Sequence, residues 1–334
     1  MQFRKLGNTD LQLSVIGLGS WAIGGGDWKF GWGDQDDDAA IACIRKAIEL
    51  GINWIDTAAV YGFGQSESLI GRALRGVAEA ERPLIATKCG RTKLGGGEIG
   101  KSLKRESVIG ECEASLQRLG VDCIDLYQMH WPEPDEQIEE GWEALIDLKR
   151  QGKVKQIGVS NHSVGQLKRL QVLHPVASLQ PPYSMIAREV EAEILPYCGE
   201  QGIGVICYSP MGKGLLAGRF DSDRAASLSA KDHRSRDPRF QPPQLEINLR
   251  LVDGLRQIAA GLGWTTAELS IAWTLRRPEL TAAIVGARHP DQIAQTVVAG
   301  DRELDDAATV AVETLLQRRE QELSALGPID KPRV

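Results

Sequence analysis

What is scarce in this chain narrows it first. Among 334 residues only 5% are aromatic and five are histidine. A basic excess is missing too: the formal charge of −6 argues against nucleic acid or an anionic membrane surface as the main partner. That charge still leaves room for a local basic pocket that holds a phosphate. No stretch approaches the roughly 18 apolar residues of a membrane helix, so no membrane partner is expected. The opening MQFRKLGNTDLQLSV has neither the apolar run nor the small-residue cleavage site of a secretory signal. Cys43, Cys89, Cys112, Cys123, Cys198 and Cys207 show no C-x-x-C spacing. This argues against a disulfide framework or a zinc site and fits reduced thiols in a cytoplasmic protein. Linkers and low-complexity tracts are also missing, so 1–334 reads as one domain.

What is present is ordinary globular composition, 42% hydrophobic and 25% charged. One local pattern recurs: an amphipathic segment ends in glycine and a short apolar run follows. It appears in AIELGINWIDTA, LQRLGVDCIDLYQMH, LKRQGKVKQIGVSN and CGEQGIGVICYSP. Gly51, Gly120, Gly152 and Gly202 stand where a helix must turn left-handed to end, a conformation that costs glycine little. The runs that follow are mostly apolar, as parallel strands covered by helices are. Eight strands are predicted, at 15–21, 53–58, 84–90, 123–130, 154–161, 177–181, 204–209 and 281–286. Helical segments fall between them, among them 38–50, 106–119, 138–151 and 190–201. Eight strands alternating with helices favour a closed (β/α)8 TIM barrel over an open sheet. Three extras are expected: an N-terminal β-hairpin over 3–14, a long polar loop over 218–245 after strand 7, and a C-terminal helix over 305–323.

In such a barrel the reactive groups gather at the C-terminal ends of the strands. Strand 2 ends with Asp56 and Tyr61 follows; strand 3 ends with Lys88 and strand 4 with His130. Strand 5 ends with Ser160 and Asn161, strand 6 runs into Gln180, and strand 7 ends with Tyr208, Ser209 and Pro210. A buried lysine and a buried aspartate are costly unless paired. Pairing leaves an oriented ammonium beside the tyrosine. At ~4 Å and an effective dielectric of ~20, a unit charge is worth about 4 kcal/mol. As an upper estimate, that brings a phenol from ~10 to ~7. A phenol tuned in this way suits proton donation to a carbonyl oxygen under reduction, and His130 can donate a hydrogen bond to the same oxygen. A lone residue of any of these types is ordinarily a rim or core residue; four of them on three consecutive strand ends make a different signal.

The chain resembles the aldo-keto reductase superfamily over nearly its whole length. The resemblance rests on IGLGSWAIGG, GINWIDTAAVYG, SESLIGRAL, ATK, DCIDLYQMHWP, GKVKQIGVSN, YSPMGKGLLAG and VGAR. The GFGQSE, HWP and QPPY runs are similar to the bacterial general-stress and oxidoreductase branch. The resemblance implies Tyr61 as acid/base, Lys88 and Asp56 as its tuning pair, and His130 as the group that orients the carbonyl. It further implies NADP(H) as cofactor. Ser160, Asn161 and Gln180 would hold the carboxamide, and Tyr208 would stack on the nicotinamide. Ser209, Pro210, Met211, Gly212, Lys213 and Leu215 would wrap the pyrophosphate. Gly19, Ser20 and Trp21 would form backbone and wall beneath the ring. Gly286 and Arg288 would meet the 2′-phosphate end, where a guanidinium fork before a helix suits a phosphate, and Gln292 would lie near the adenosine. The substrate is expected to be a small carbonyl compound bound by Trp21, Trp28, Trp32, Tyr61, His130 and Trp131, in a monomeric protein; Trp54, Trp142, Trp264 and Trp273 are read as packing residues.

Two departures stand out. Gln295 and Thr296 occupy the place of a frequent Glu-Asn pair, and His162 follows Ser-Asn where phenylalanine is common. The run from Gly17 to Ala22 loosely matches a dinucleotide fingerprint, but 23–27 continues as a loop rather than a helix, so a Rossmann reading fails. Asp34, Asp36 and Asp38 read as acidic capping of a helix and not as a calcium loop, which would need a following glycine and glutamate. A metal-dependent barrel hydrolase needs clustered ligands, and His130 stands alone at the strand ends. The remaining alternative is a non-catalytic NADPH-binding auxiliary subunit with the same barrel.

Overall fold

The computed structural model describes residues 1–26 and 28–327. Asp27, in the segment read as a loop, lies outside the described residues, as do 328–334. Eight parallel strands close into a barrel in sequence order: β1 (Ile16–Gly19), β2 (Trp54–Asp56), β3 (Leu84–Cys89), β4 (Ile124–Met129), β5 (Val154–Ser160), β6 (Ser178–Gln180), β7 (Gly204–Tyr208) and β8 (Leu280–Gly286). Each lies within or beside the run predicted for it. The fingerprint decoy ends β1 and enters a short 3-10 turn at Trp21–Ile23, without the helix that dinucleotide-binding sheets require.

The helix ends follow from local chemistry. Gly51, Gly120, Gly152 and Gly202 all have positive φ, as the turn from helix into strand demands. Asp36 accepts the backbone N–H of Ala39 at 2.7 Å and caps the helix Asp37–Glu49, the role predicted for the acidic cluster. Among the described residues no group of side chains could hold a metal ion.

Alternate residues on each strand divide two cores. The outward set packs under the helices, including Ile16, Ile55, Tyr127, Met129 and Ile157. The inward set, Trp54, Ala86, Leu126, Ile206, Ala282 and Ile284, joins Leu6 and Leu13 of the N-terminal hairpin, whose strands are Phe3–Lys5 and Gln12–Ser14. The hairpin plugs the N-terminal end of the barrel: the Trp54 indole N–H donates to the Ser14 carbonyl at 2.9 Å. At its turn Gly7 has φ 51°, and a Cβ there would lie 2.4 Å from the Gly204 nitrogen. With that end closed by apolar side chains, the opposite mouth is where inward-facing polar residues meet solvent.

The structure departs from the predicted elements at that mouth. An unpredicted second hairpin, Arg91–Lys93 with Ile99–Lys101, follows β3. The 218–245 segment is not a featureless loop: it holds the helix Ser222–Ala226 and 3-10 turns at His233–Arg236 and Pro238–Phe240. Its last residues begin the helix Gln244–Gly261, which packs against the C-terminal helix Asp306–Ser324. The 190–201 segment divides into a 3-10 turn, Glu189–Glu191, and a helix, Ile194–Gln201. Among the described residues no helix is long and apolar enough to cross a membrane.

Candidate active site

The four strand-end residues converge. Lys88 and Asp56 face inward from β3 and β2 and are buried together. The Lys88 ammonium donates to both Asp56 oxygens and to the Thr57 carbonyl, each at 2.8 Å, which commits all three of its N–H bonds. Gln180 Nε2 adds a fourth donor to the cluster, 2.7 Å from Asp56 Oδ1. Burial pushes the Asp56 carboxyl up and the Lys88 ammonium down, and their pairing opposes both shifts. Tyr61 begins a turn in which Gly62, Phe63 and Gly64 all have positive φ, and this carries its ring back over the pair. Lys88 Nζ lies 5.2 Å from the ring centroid of Tyr61. His130 meets the same ring edge-on, with centroids 5.7 Å apart.

One expectation reverses here. The phenol of Tyr61 is held well above its ordinary range, first by burial and then by the Asp56 charge. Asp56, hydrogen-bonded to Lys88, offsets part of the positive field that the ammonium presents to Tyr61. His130 is shifted the other way: burial, then Lys88 and Arg91, keep its imidazole neutral. The site therefore holds a protonated phenol and a neutral imidazole side by side, and both can donate a hydrogen bond.

These groups open into a cavity of about 1270 Å³. Of the residues singled out in the sequence, Gly19, Trp21, Trp28, Trp32, Asp56, Tyr61, His130, Trp131, Ser160, Asn161, Gln180, Tyr208, Ser209, Pro210, Met211, Lys213, Gly286, Arg288 and Gln292 line it. Lys88, Ser20, Gly212 and Leu215 do not. Ser20 is buried behind the wall and donates to the Asp56 carbonyl at 2.8 Å. Gly212 is buried, and Leu215 packs with Phe220, Phe240 and Leu245. The tryptophans read as packing residues do pack: Trp54, Trp142 and Trp273 are buried, and Trp264 is partly so.

Backbone conformation marks the same place. Among the described residues the non-glycine positions with positive φ are Phe63, in the Tyr61 turn, and Asn161, Ser209 and Lys213, which line the cavity. Such conformations cost energy and gather at functional sites. Asn161 is held by its neighbours: its Nδ2 donates to the His130 carbonyl and to Ser160 Oγ at 3.0 Å, and its Oδ1 accepts from Tyr208 at 2.9 Å.

The Arg288 guanidinium is already hydrogen-bonded at all three nitrogens. Its Nε donates to Gln35 Oε1 at 2.7 Å, one terminal nitrogen to the Trp32 carbonyl at 3.0 Å, and the other to the Asp34 carbonyl. Gln292 Oε1 accepts the Arg288 backbone N–H at 2.7 Å. The 229–239 segment docks on the same loop. Trp32 bridges Asp232, His233 donates its backbone N–H to the Gly31 carbonyl at 3.1 Å, and Arg236 donates to the Lys29 carbonyl at 2.6 Å. Arg234 lies over the Trp32 ring at 4.7 Å and is paired with Asp232. The sequence reading missed these residues, although a run of arginines between Arg219 and Arg239 was a usable signal of an anion site.

The walls fit a dinucleotide. The cavity exceeds the ~300–1,000 Å³ typical of a single small ligand. Its cationic side chains, Lys213, Arg219, Arg224, Arg234, Arg236 and Arg288 among them, outnumber its carboxylates in a chain that is acidic overall. Gln295 and Thr296, the departures noted in the sequence, line it as well. His162, the other departure, is buried and hydrogen-bonded to the Ser160 carbonyl at 2.9 Å.

Comparison with known proteins agrees with this geometry. The aldo/keto reductase family model matches residues 15–317. The chain is 36% identical to the aldo-keto reductase YhdN of Bacillus subtilis over 88% of its own length and 87% of that protein. It is 35% identical to the NADH-specific methylglyoxal reductase of Escherichia coli, covering 95% of this chain and 98% of that one. Among solved structures it is similar to the glycerol dehydrogenase AKR11B4 of Gluconobacter oxydans, with a TM-score of 0.86, 34% identity and coverage of 99% and 98% of the two chains.

Proposed function

The chain belongs to the aldo/keto reductase family, oxidoreductases that act on carbonyls with a nicotinamide cofactor, and from that premise we propose that it reduces aldehydes to alcohols with NADPH, using Tyr61 as proton donor. The observation that carries this reading is the joint placement of Tyr61 and His130 over the buried Asp56–Lys88 pair, at the wall of a cavity large enough for cofactor and substrate.

When bound, the nicotinamide supplies the hydride. The residues of the chain do the rest. Ser160, Asn161 and Gln180 hold the carboxamide, and Tyr208 flanks the ring. Lys213, Arg219 and Arg234 meet the phosphates. Trp21, Trp28, Trp32 and Trp131 exclude water from the carbonyl, and His130 donates a hydrogen bond to its oxygen. Negative charge that develops on that oxygen draws the Tyr61 proton, and the phenolate left behind is stabilised by the nearby ammonium of Lys88. In this reading Lys88 stabilises the phenolate as it forms and does not hold an ionised phenol at rest, because burial keeps the resting group protonated.

The preference for NADPH rests on Arg288. A 2′-phosphate offers it a bidentate ion pair, a better partner for the guanidinium fork than the uncharged carbonyls it binds in the 32–35 loop. One relative is named for NADH, so the preference has its own test, the binding of the two cofactors to Arg288→Ala. The test of the reaction is NADPH oxidation with 4-nitrobenzaldehyde or methylglyoxal as substrate. Turnover of at least one aldehyde is expected. Tight NADPH binding with no turnover of any aldehyde would favour a non-catalytic auxiliary subunit instead.

A further inference from the structure

Beneath the site the barrel carries polar atoms that the reaction described above does not use. Alternate residues on a strand share one face. Leu126 belongs to the interior core, so Gln128 and His130 stand above it on that inward face of β4. Gln128 pairs in register with Lys88 on β3 and Gly158 on β5. It is fully buried, and neither its Oε1 nor its Nε2 has a hydrogen-bond partner; His130 Nδ1 is buried and unpartnered as well. Each such atom costs about 1–3 kcal/mol, so three together call for a cause.

The neighbouring donor atoms each have a partner already. Lys88 spends its three N–H bonds on Asp56 and Thr57. Gln180 Nε2 donates to Asp56, and Asn161 Nδ2 to the His130 carbonyl and Ser160. Gln128 Nε2 is left as an uncommitted donor one layer below His130. Two residues along a strand span ~6.6 Å, a distance that a glutamine side chain and one hydrogen bond together cover. A partner for Oε1 lies on the other side. Ser178 Oγ is also buried and unpartnered, and it sits over Gly158, where a Cβ would lie 2.2 Å from it. Gly158 pairs with Gln128 in register, and its missing side chain makes room for the Ser178 hydroxyl at that position.

We propose that Gln128 is a positioning residue: Ser178 Oγ–H donates to its Oε1, and its amide N–H donates to His130 Nδ1, which holds His130 in the tautomer that carries its proton on Nε2. That tautomer is the one a neutral histidine needs, because Nε2 is the ring nitrogen left to face the carbonyl once Nδ1 is buried. Catalytic hydrogen bonds are often open before ligands bind and tighten in the complex. The inference rests on the reading of His130 as the carbonyl-orienting group.

The test is ¹⁵N NMR of histidine-labelled full-length protein with NADPH bound, where five histidines give a spectrum simple enough to assign. His130 should show a protonated Nε2 and an unprotonated Nδ1. In Gln128→Met, which keeps the volume and removes the donor, that preference should be lost. The kcat should fall at least about tenfold, less than the ~10²–10⁴-fold of a proton donor itself, while the Kd for NADPH holds. Ser178→Ala should shift both readouts in the same direction by less, and it guards against a fold defect in the first variant. A wild-type His130 protonated on Nδ1 overturns the inference, as does a folded Gln128→Met with an unchanged His130 spectrum and unchanged kcat. The reading of His130 itself fails separately, if His130→Ala keeps its kcat.

Discussion

At the scale of single residues, stability turns on the buried Asp56–Lys88 pair. Together the two charges satisfy one another inside the barrel; apart, either is a buried, uncompensated charge. Lys88→Met should therefore cost about 3–5 kcal/mol of stability, measured by urea denaturation, and Asp56→Asn added to it should recover part of the loss. A Lys88→Met protein of wild-type stability would mean that the pair is not buried as described. The identities of the four residues were legible in the sequence because barrel chemistry gathers at strand ends. The direction of the Tyr61 shift was not. It depends on burial and on Lys88 being fully hydrogen-bonded to Asp56 and Thr57, and neither is visible in a string of letters. The same limit applies to Ser20 and Leu215, which lie close in sequence to lining residues but face away from the cavity.

At the scale of elements, strands and helix ends were readable wherever an apolar run met a terminating glycine. The Arg91–Lys93 and Ile99–Lys101 hairpin was not: its strands are three residues long and its turn is GGGE, so no periodicity marks it. It begins where the helix Arg105–Leu119 reaches across to the end of β3. Both carboxylate oxygens of Glu111 on that helix accept the Gly90 backbone N–H at 3.1 Å. Burial raises this carboxyl from 4.5 to about 7. A raised acid makes the folded state the stronger proton binder between those values, so its contribution is present below 4.5 and lost as pH rises through about 7. The loss is on the order of 3 kcal/mol. Denaturation midpoints should thus fall between pH ~5 and ~8 in the wild type and flatten in Glu111→Gln; parallel curves would contradict the assignment.

At the scale of the whole molecule, an acidic protein encloses a basic cavity, and two distant loops meet across its mouth. Arg288 lies at the end of β8, yet it binds the carbonyls of Trp32 and Asp34. Contacts so far apart along the chain have no local signature, which is why the sequence showed the guanidinium without its neighbours. The arrangement predicts two effects of Arg288→Ala. NADPH should bind at least about tenfold more weakly, the loss of one charge-assisted contact worth about 1.5 kcal/mol or more, while NADH binding changes much less. Fluorescence titration with both cofactors measures this directly, and an equal change for the two would remove Arg288 from the 2′-phosphate.

The central claim is that Tyr61 gives its proton to a carbonyl. Single-turnover oxidation of bound NADPH by 4-nitrobenzaldehyde, compared between the wild type and Tyr61→Phe at equal cofactor occupancy, tests it most directly. The loss of the phenolic hydroxyl should slow the step by about 10²–10⁴-fold with the Kd for NADPH nearly unchanged. A Tyr61→Phe protein that oxidises NADPH at the wild-type rate would contradict the assignment.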